Sequence, residues 1–191
     1  VGLQNKTQFY EKYRDTTRGF LAQGSEFGFG KMCARGINEK ALIKGEDQFI
    51  HIVSCNTHNL SVLVDVTALQ DGGPENLVEG RFVCIRRAND ISQDGSFVPS
   101  PQVGGHKDPQ FGTHHARDAY HLFNTLGYKL NLYSSAMKLN SQYMHTIWFN
   151  TRVRKPTTVE AVKARFPADD RVALTYKNTA NVVFSFGRDY G

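Results

Sequence analysis

The chain has 191 residues, which suits one domain or one and a half and is long enough to bury a substantial hydrophobic core. Its formal charge of +5 comes from 23 basic and 18 acidic residues, and these are too dispersed to form the basic arm of a nucleic-acid-binding protein. No stretch approaches the roughly 20 consecutive apolar residues of a membrane span, so the composition argues against an integral membrane protein.

The three cysteines, Cys33, Cys55 and Cys84, are too few for a disulfide framework and lack the spacing of a metal-ligand motif. They indicate free thiols in a reducing compartment. The first residues, Val-Gly-Leu-Gln-Asn-Lys-Thr, also lack the pattern of a secretory signal peptide. We therefore expect a cytoplasmic protein.

The first quarter of the chain reads as alternating helices and strands. The predicted elements are a helix over 5–16, a strand over 19–23, a turn at Gly24-Ser25, a short helix over 38–44 capped by Asn38, and a strand over 49–53. Alternation at these lengths is typical of parallel α/β structure.

Cys55 lies where the predicted strand 49–53 gives way to a predicted helix over 56–70. Ser54 and Asn56 are residue types that cap helix N-termini. Unpaired backbone N–H groups and the helix dipole at such a junction favour an anion and lower the pKa of a thiol. The alternative is that Cys55 is inert packing, because cysteine is among the most often buried residues.

The second part of the chain has a different pattern, which we interpret as α+β with a mostly antiparallel sheet. Its predicted elements are a strand over 81–86, a long loop over 95–112, a helix over 114–126 capped by Thr113, a strand over 144–153, a helix from 156, and strands over 171–176 and 181–186. The loop 95–112 holds four glycines and three prolines, and loops of this length are uncommon unless they are functional.

A cysteine nucleophile needs a base or hydrogen-bond partner, and several histidines are candidates. They are His51, His58, His114, His115 and His145. His114 and His115 follow a glycine-rich turn at a predicted helix N-terminus, a natural anion site. His145 begins a strand and can project into a cleft, although a half-buried structural histidine is the commoner case. His51 is the weakest choice, because it precedes Cys55 on a strand and points to another face.

Arg86 and Arg87, at the end of the predicted strand 81–86, carry guanidinium groups whose geometry suits a phosphate. Adjacent arginines are also common on protein surfaces. A small phosphorylated substrate needs only two or three well-aimed cations, which the modest basic excess of this chain supplies.

Six segments of the chain occur together in one order. They are QGSE (23–26), VSCNT (53–57), IRRA (85–88), THHARD (113–118), Met144-His145 and NTAN (178–181). In this order they resemble the archaeal-type (type II) glyceraldehyde-3-phosphate dehydrogenases over nearly the whole chain, and SCNT and RRA are the most specific parts. That family has a Rossmann NAD(P)-binding domain followed by a catalytic domain with an antiparallel sheet.

The resemblance implies the phosphorylating oxidation of glyceraldehyde 3-phosphate to 1,3-bisphosphoglycerate, with NAD or NADP as the cofactor and inorganic phosphate as a second substrate. Cys55 would be the nucleophile and His145 the base that assists it. The residues implied to bind substrate are Ser54, Asn56, His114 and His115. Those implied to bind the cofactor are Gly24, Ser25, Arg86, Arg87 and Asn181. No metal is implied.

The resemblance also implies how the chain is divided. No Gly-x-Gly-x-x-Gly follows an N-terminal strand, so we interpret the chain as an internal fragment of a longer enzyme. Residues 1–52 would be the C-terminal part of the Rossmann domain, and residues 53–191 an incomplete catalytic domain. We expect a homo-oligomer, a tetramer by resemblance, with no membrane or nucleic-acid partner.

The chain departs from the family pattern at several positions. Ser25 replaces a glycine, Asn181 a glutamine, Ala116-Arg117 a Gly-Pro, Ile147 a histidine, and His58-Asn59 a Thr-Gly. These changes keep the nucleophile but affect cofactor preference and substrate fit. One alternative is therefore a dehydrogenase of another phosphorylated aldehyde. The other is a catalytically weakened homologue that binds a ligand or contacts RNA.

Overall fold

The computed structural model describes residues 3–89, 95 and 98–190, which form two β-sheets with helices packed against them. The helices are α1 (Leu3–Glu11), α2 (Cys55–Val64), α3 (Gln70–Gly72), α4 (His114–Asn124), α5 (Val159–Arg165) and α6 (Ala180–Tyr190). The strands are β1 (Phe20–Gly24), β2 (Lys31–Cys33), β3 (Phe49–Val53), β4 (Leu77–Arg86), β5 (Gln102–Val103), β6 (Leu132–Lys138) and β7 (Thr146–Val153). In the described part of the chain, no helix is long and apolar enough to cross a membrane.

The first sheet contains three parallel strands in the order β1-β3-β2. An aromatic cluster covers it, in which Phe20 stacks on Phe49 and on Tyr10 of α1, with ring centroids 4.8 and 5.3 Å apart. Phe29 packs edge-on against Phe49 in the same cluster. These rings hold α1 against the sheet.

The second sheet has the order β5-β6-β4-β7 and is mixed. Its central strands, β4 and β6, are parallel, whereas β4 with β7 and β5 with β6 are antiparallel. Helices α2 and α4 cover one face and bury Leu60, Phe82 and Phe123, among others. Burying a side chain of this size contributes roughly 1.5–3 kcal/mol, so this core fixes both helices firmly on the sheet.

Helix α4 also connects the two sheets. Its Leu122 packs in a buried cluster with Met32 of β2 and Val53 of β3. Buried Asn38 reinforces the contact, because its side-chain amide donates to Met32 O at 2.8 Å and to Thr125 Oγ1 at 2.8 Å. Asn38 therefore links the first sheet to the C-terminal end of α4 rather than capping a helix through its side chain, as the sequence pattern predicts.

Most of the elements predicted in the first three quarters of the chain are confirmed. The strand over 49–53 matches β3 residue for residue, and the helix over 56–70 appears as α2 continued by a π-helical segment, Asp65–Leu69. The predictions at 19–23, 81–86, 114–126 and 144–153 correspond to β1, β4, α4 and β7. The helix predicted from 156 is α5, which Thr158 caps by accepting a hydrogen bond from Ala161 N.

Several predictions are wrong. The helix over 5–16 ends at Glu11, and the helix over 38–44 is only a 3-10 turn at Glu39–Ala41. Residues 172–178 form no regular element, and 181–186, predicted as a strand, lie in α6. Short apolar runs do not by themselves distinguish a strand from a helix. The expected antiparallel sheet is in fact mixed, because β6, which the pattern does not predict, inserts parallel to β4.

Candidate active site

The ends of five elements meet at one cavity of about 590 Å³. They are the C-terminal ends of β1 and β4, the N-terminal ends of α2 and α4, and the residue before β7. The lining residues are Gln23, Gly24, Ser25, Ser54, Cys55, Asn56, Arg86, Arg87, His114, His115 and His145. Every residue that the sequence predicts for the site is among them except Asn181.

Strand register explains how the first part of the cavity forms. β1 and β3 are parallel neighbours, and Gly24 at the end of β1 lies opposite Val53 at the end of β3. The chain segments that follow both strands therefore emerge side by side, which places Ser25 near Cys55. Gly24 has φ +108°, a conformation that L side chains rarely adopt, and nothing lies within 4 Å of where its Cβ would be.

Cys55 is the first residue of α2, and its side chain is exposed. Ser54 is the N-cap, and its hydroxyl oxygen accepts a hydrogen bond from Thr57 N at 3.4 Å. The other two cysteines are buried. Burial raises the pKa of the Cys84 thiol to about 12 and also raises the pKa of Cys33. Cys55 is therefore the one cysteine whose sulfur is accessible from the cavity.

The antiparallel pairing of β4 with β7 places His145 beside Arg87. Ile85 of β4 lies opposite Thr146 of β7, and beyond this pair the backbone N–H of Arg87 donates to His145 Nδ1 at 3.1 Å. A neutral imidazole carries a single N–H. Because Nδ1 accepts a hydrogen bond, the proton of the neutral His145 ring is on Nε2.

His114 and His115 lie at the N-terminus of α4, with ring centroids 4.0 Å apart. Burial, reinforced by the positive charges of His114, Arg86 and His145, lowers the pKa of His115 to about 3. Burial also lowers the pKa of His114, although the charge of Asp118 opposes the shift. His115 is therefore neutral at physiological pH.

Thr113 is the N-cap residue of α4, as predicted, but its hydroxyl does not cap the helix. Instead Thr113 Oγ1 lies 3.0 Å from His115 Nδ1 and 2.6 Å from Ser134 Oγ of β6. His115 Nε2 in turn lies 3.4 Å from Asn56 Nδ2. These contacts fix the His115 ring against the residue that follows Cys55.

A second cavity of about 280 Å³ adjoins the first, and Arg86, His114 and His115 line both. Lys107 and Arg117 add two further cations to its lining. Among the residues that the structure describes, no carboxylate lines the first cavity, and the one carboxylate of the second, Asp108, accepts backbone N–H bonds from residues 110 and 111. The two connected cavities therefore form a basic site suited to an anion with more than one charge.

The remaining sequence candidates lie elsewhere. Asn181 belongs to α6, which lies by a separate groove of about 350 Å³ that shares only His145 with the cavity at Cys55. His58 Nε2 bonds to Arg35 O at 2.9 Å. Buried His51 does not line the cavity, but its Nε2 lies 2.6 Å from Gly24 O and supports the turn at the cavity edge.

Sequence reasoning missed the supporting residues of the site. Thr113 is predicted only as a helix cap, and Ser134 lies on β6, which the pattern does not predict. A serine in a strand carries no sequence signal of a polar network, because its partners come from distant segments of the chain.

No protein-family model matches the sequence, and no curated protein matches it significantly. Among the described residues, no group of three or more histidine, cysteine, aspartate or glutamate side chains is placed to hold a metal ion.

Proposed function

We propose that the chain carries the catalytic site of an NAD(P)-dependent phosphorylating dehydrogenase that oxidises glyceraldehyde 3-phosphate to 1,3-bisphosphoglycerate. One observation carries the proposal: Cys55 is an exposed thiol at a helix N-terminus, in a cavity where the charged side chains among the described lining residues are the basic Arg86 and Arg87. A thiolate nucleophile surrounded by cations suits a phosphorylated aldehyde. The convergence of residues that the family resemblance groups together supports the same conclusion.

The chemistry begins at the Cys55 sulfur. The thiol proton leaves on ionisation, the thiolate forms a C–S bond to the aldehyde carbon, and the carbonyl electron pair moves onto oxygen. Loss of a hydride from that carbon then leaves a thioester on Cys55. Since the oxyanion collapses directly into the thioester carbonyl, the hydride-transfer step needs no separate base.

His145 has a different role in this scheme from the base that the sequence predicts. Its Nδ1 accepts a hydrogen bond from Arg87 N–H, so the proton of the neutral ring is on Nε2, which makes Nε2 a donor rather than an acceptor. A hydrogen bond from Nε2–H to the developing oxyanion stabilises the transition state, and removing a single donor of this kind typically costs about 100-fold in rate. His145 therefore fits a stabilising donor better than a proton acceptor.

The basic residues account for the phosphate groups. The cavity at Cys55 offers Arg86 and Arg87, and the adjoining cavity offers Lys107, together with Arg117, which is paired with buried Asp118. The substrate brings one phosphate, and inorganic phosphate brings a second. The inorganic phosphate oxygen attacks the thioester carbonyl, the C–S bond breaks, and Cys55 leaves as the thiolate, which yields the acyl phosphate.

The residues at the end of β1 fit a dinucleotide. The carboxyl ends of parallel strands are where such cofactors bind in α/β sheets, and Gly24 and Ser25 occupy that position with open space against the Gly24 backbone. With Arg87 they would hold NAD or NADP, which supplies the hydride acceptor. Asn181, away from the cavity, is not part of this set. The parallel first sheet supports the interpretation of residues 1–52 as the end of a Rossmann domain.

The test is the reduction of NAD or NADP on addition of glyceraldehyde 3-phosphate and phosphate. We expect Cys55→Ser to abolish the reaction and Cys84→Ser, at the buried cysteine of β4, to retain it. Without phosphate, mass spectrometry of the wild-type chain should find the acyl group on the peptide that contains Cys55. Retained activity of Cys55→Ser, or no protection of the wild-type Cys55 from iodoacetamide by glyceraldehyde 3-phosphate, would refute the proposal.

A further inference from the structure

A buried chain of polar side chains runs from β6 to the residue beside Cys55. Ser134 Oγ lies 2.6 Å from Thr113 Oγ1, which lies 3.0 Å from His115 Nδ1. His115 Nε2 lies 3.4 Å from the side-chain amide of Asn56. All four side chains are buried, and because buried polar groups are costly when unpaired, the hydrogens along this chain must run in one consistent direction.

The Ser134 end sets that direction. The backbone N–H of Ala116 donates to Ser134 Oγ at 3.0 Å, so the serine oxygen already serves as an acceptor. Its own hydrogen is then free to point at Thr113 Oγ1. The Thr113 hydroxyl donates to His115 Nδ1, and the neutral ring carries its proton on Nε2.

The Asn56 end agrees with this direction. With Nδ2 facing the ring, Asn56 Oδ1 is buried and has no hydrogen-bond partner among the described residues. Amide oxygen and nitrogen are distinguished by their hydrogen bonds, and turning the amide places Oδ1 on the His115 Nε2–H. The opposite direction would leave both the Ser134 hydroxyl hydrogen and Asn56 Oδ1 without partners in the described part of the chain, whereas this direction leaves the Asn56 amino group alone without one.

We propose that Ser134 and Thr113 are positioning residues that hold His115 with its proton on Nε2, and that the His115 Nε2–H thereby fixes Asn56 Oδ1 and, with it, the start of α2 beside Cys55. This rests on the proposed function, because Cys55, the residue before Asn56, is then the nucleophile whose position towards the aldehyde is fixed. A nucleophile held in place reacts faster because less orientational freedom is lost on reaching the transition state.

The ring nitrogens of His115 provide a test that is independent of catalysis. Two-bond ¹H–¹⁵N NMR of the full chain labelled with ¹⁵N-histidine separates protonated from unprotonated ring nitrogens, and His115→Gln assigns the signal. We expect an Nε2–H ring in the wild type and in Thr113→Ser, which keeps the hydroxyl. Thr113→Val and Ser134→Ala should lose the single tautomer. Ser135→Ala, on the opposite face of β6, is the matched control.

A second readout is the affinity for glyceraldehyde 3-phosphate, measured as protection of Cys55 from iodoacetamide. Loss of the Thr113 hydroxyl should weaken this affinity about tenfold, the effect of one hydrogen bond, whereas Thr113→Ser should restore it. If Thr113→Val does not fold, Ser134→Ala carries the same expectation.

An Nδ1–H ring in the wild type, or a tautomer and an affinity that are unchanged in both Thr113→Val and Ser134→Ala, would overturn the proposal. If the ring behaves as expected but the aldehyde protects Cys55 in no variant, the proposed function fails while the positioning of His115 stands.

Discussion

At the scale of single residues, the three histidines of the cavity are held in three different ways. His115 is buried and bonded at Nδ1 to Thr113, whereas His145 accepts the backbone N–H of Arg87. The His114 ring lies 4.0 Å from the His115 ring at an angle of 37°, and the charge of Asp118 raises its pKa against the larger, opposing effect of burial. With the His115 ring neutral, the positive charge among the described residues of the cavity comes from Arg86 and Arg87.

Replacing His115 with Gln should make the chain less sensitive to acid. Burial lowers the pKa of His115 to about 3 from the ordinary value of 6.5. Between these values the unfolded state binds a proton that the folded state does not, so the free energy of unfolding falls as the pH falls from 6.5 towards 3. Denaturant unfolding at several pH values should show a shallower decline for His115→Gln than for the wild type. His106→Gln, at an exposed histidine, should decline like the wild type, and equal slopes for all three proteins would contradict this account.

At the scale of elements, the sequence predicts those whose signal is local. β3 has a continuous apolar run, and α2 follows a residue whose side chain caps it, so both lie where the pattern places them. β6 is not predicted, because two of its buried positions hold the small residues Ser134 and Ala136. These do not give the alternation of apolar and polar residues that is typical of a strand. α6 is mistaken for a strand because its adjacent valines favour strands.

The candidate site likewise has a part that the sequence predicts and a part that it does not. Cys55 and the paired histidines are recognisable because they adjoin helix starts. That they share a cavity depends on strand register and on the contact of α4 with both sheets, which are long-range features. The partners of His115 and the displacement of Asn181 from the cavity follow from those same contacts, so the sequence pattern cannot reveal them.

The cap of α2 gives a prediction at this scale. Ser54→Ala removes the acceptor for Thr57 N and should cost about 1 kcal/mol of unfolding free energy. It should also change the rate at which iodoacetamide alkylates Cys55, because the cap orders the first turn that carries the thiol. Thr158→Ala removes the equivalent cap of α5 and is the matched control. Thr158→Ala should lose a similar amount of stability without changing the alkylation rate of Cys55. If Cys55 is alkylated in Ser54→Ala at the wild-type rate, the cap does not affect the reactivity of the thiol.

At the scale of the whole molecule, the second sheet is covered on one face by α2 and α4. Its other face presents Trp148, whose side chain is 57% exposed, opposite Val83 of β4. Residues directly opposite each other in antiparallel strands share a face, so these two form part of an apolar surface on this side of the sheet. Such surfaces are typical of interfaces between protein molecules, which fits the expected homo-oligomer.

Trp148→Lys should therefore shift the chain towards the monomer. Placing a charge in an apolar interface is costly because the charge loses its hydration. Sedimentation velocity over a range of concentrations would measure the shift. Leu174→Lys changes an exposed leucine outside the sheet and should associate like the wild type. Unaltered association of Trp148→Lys would show that this face is not the interface.

The central claim is that Cys55 is the reactive nucleophile, and the rates of alkylation of the three thiols test it most directly. Iodoacetamide at pH 7, followed by mass spectrometry of the labelled peptides, measures each rate in the folded chain. We expect Cys55 to react at least about tenfold faster than Cys33 and Cys84, whose pKa values are raised by burial. Glyceraldehyde 3-phosphate should slow the Cys55 reaction alone. Equal rates for the three cysteines, with no protection by the aldehyde, would contradict the claim.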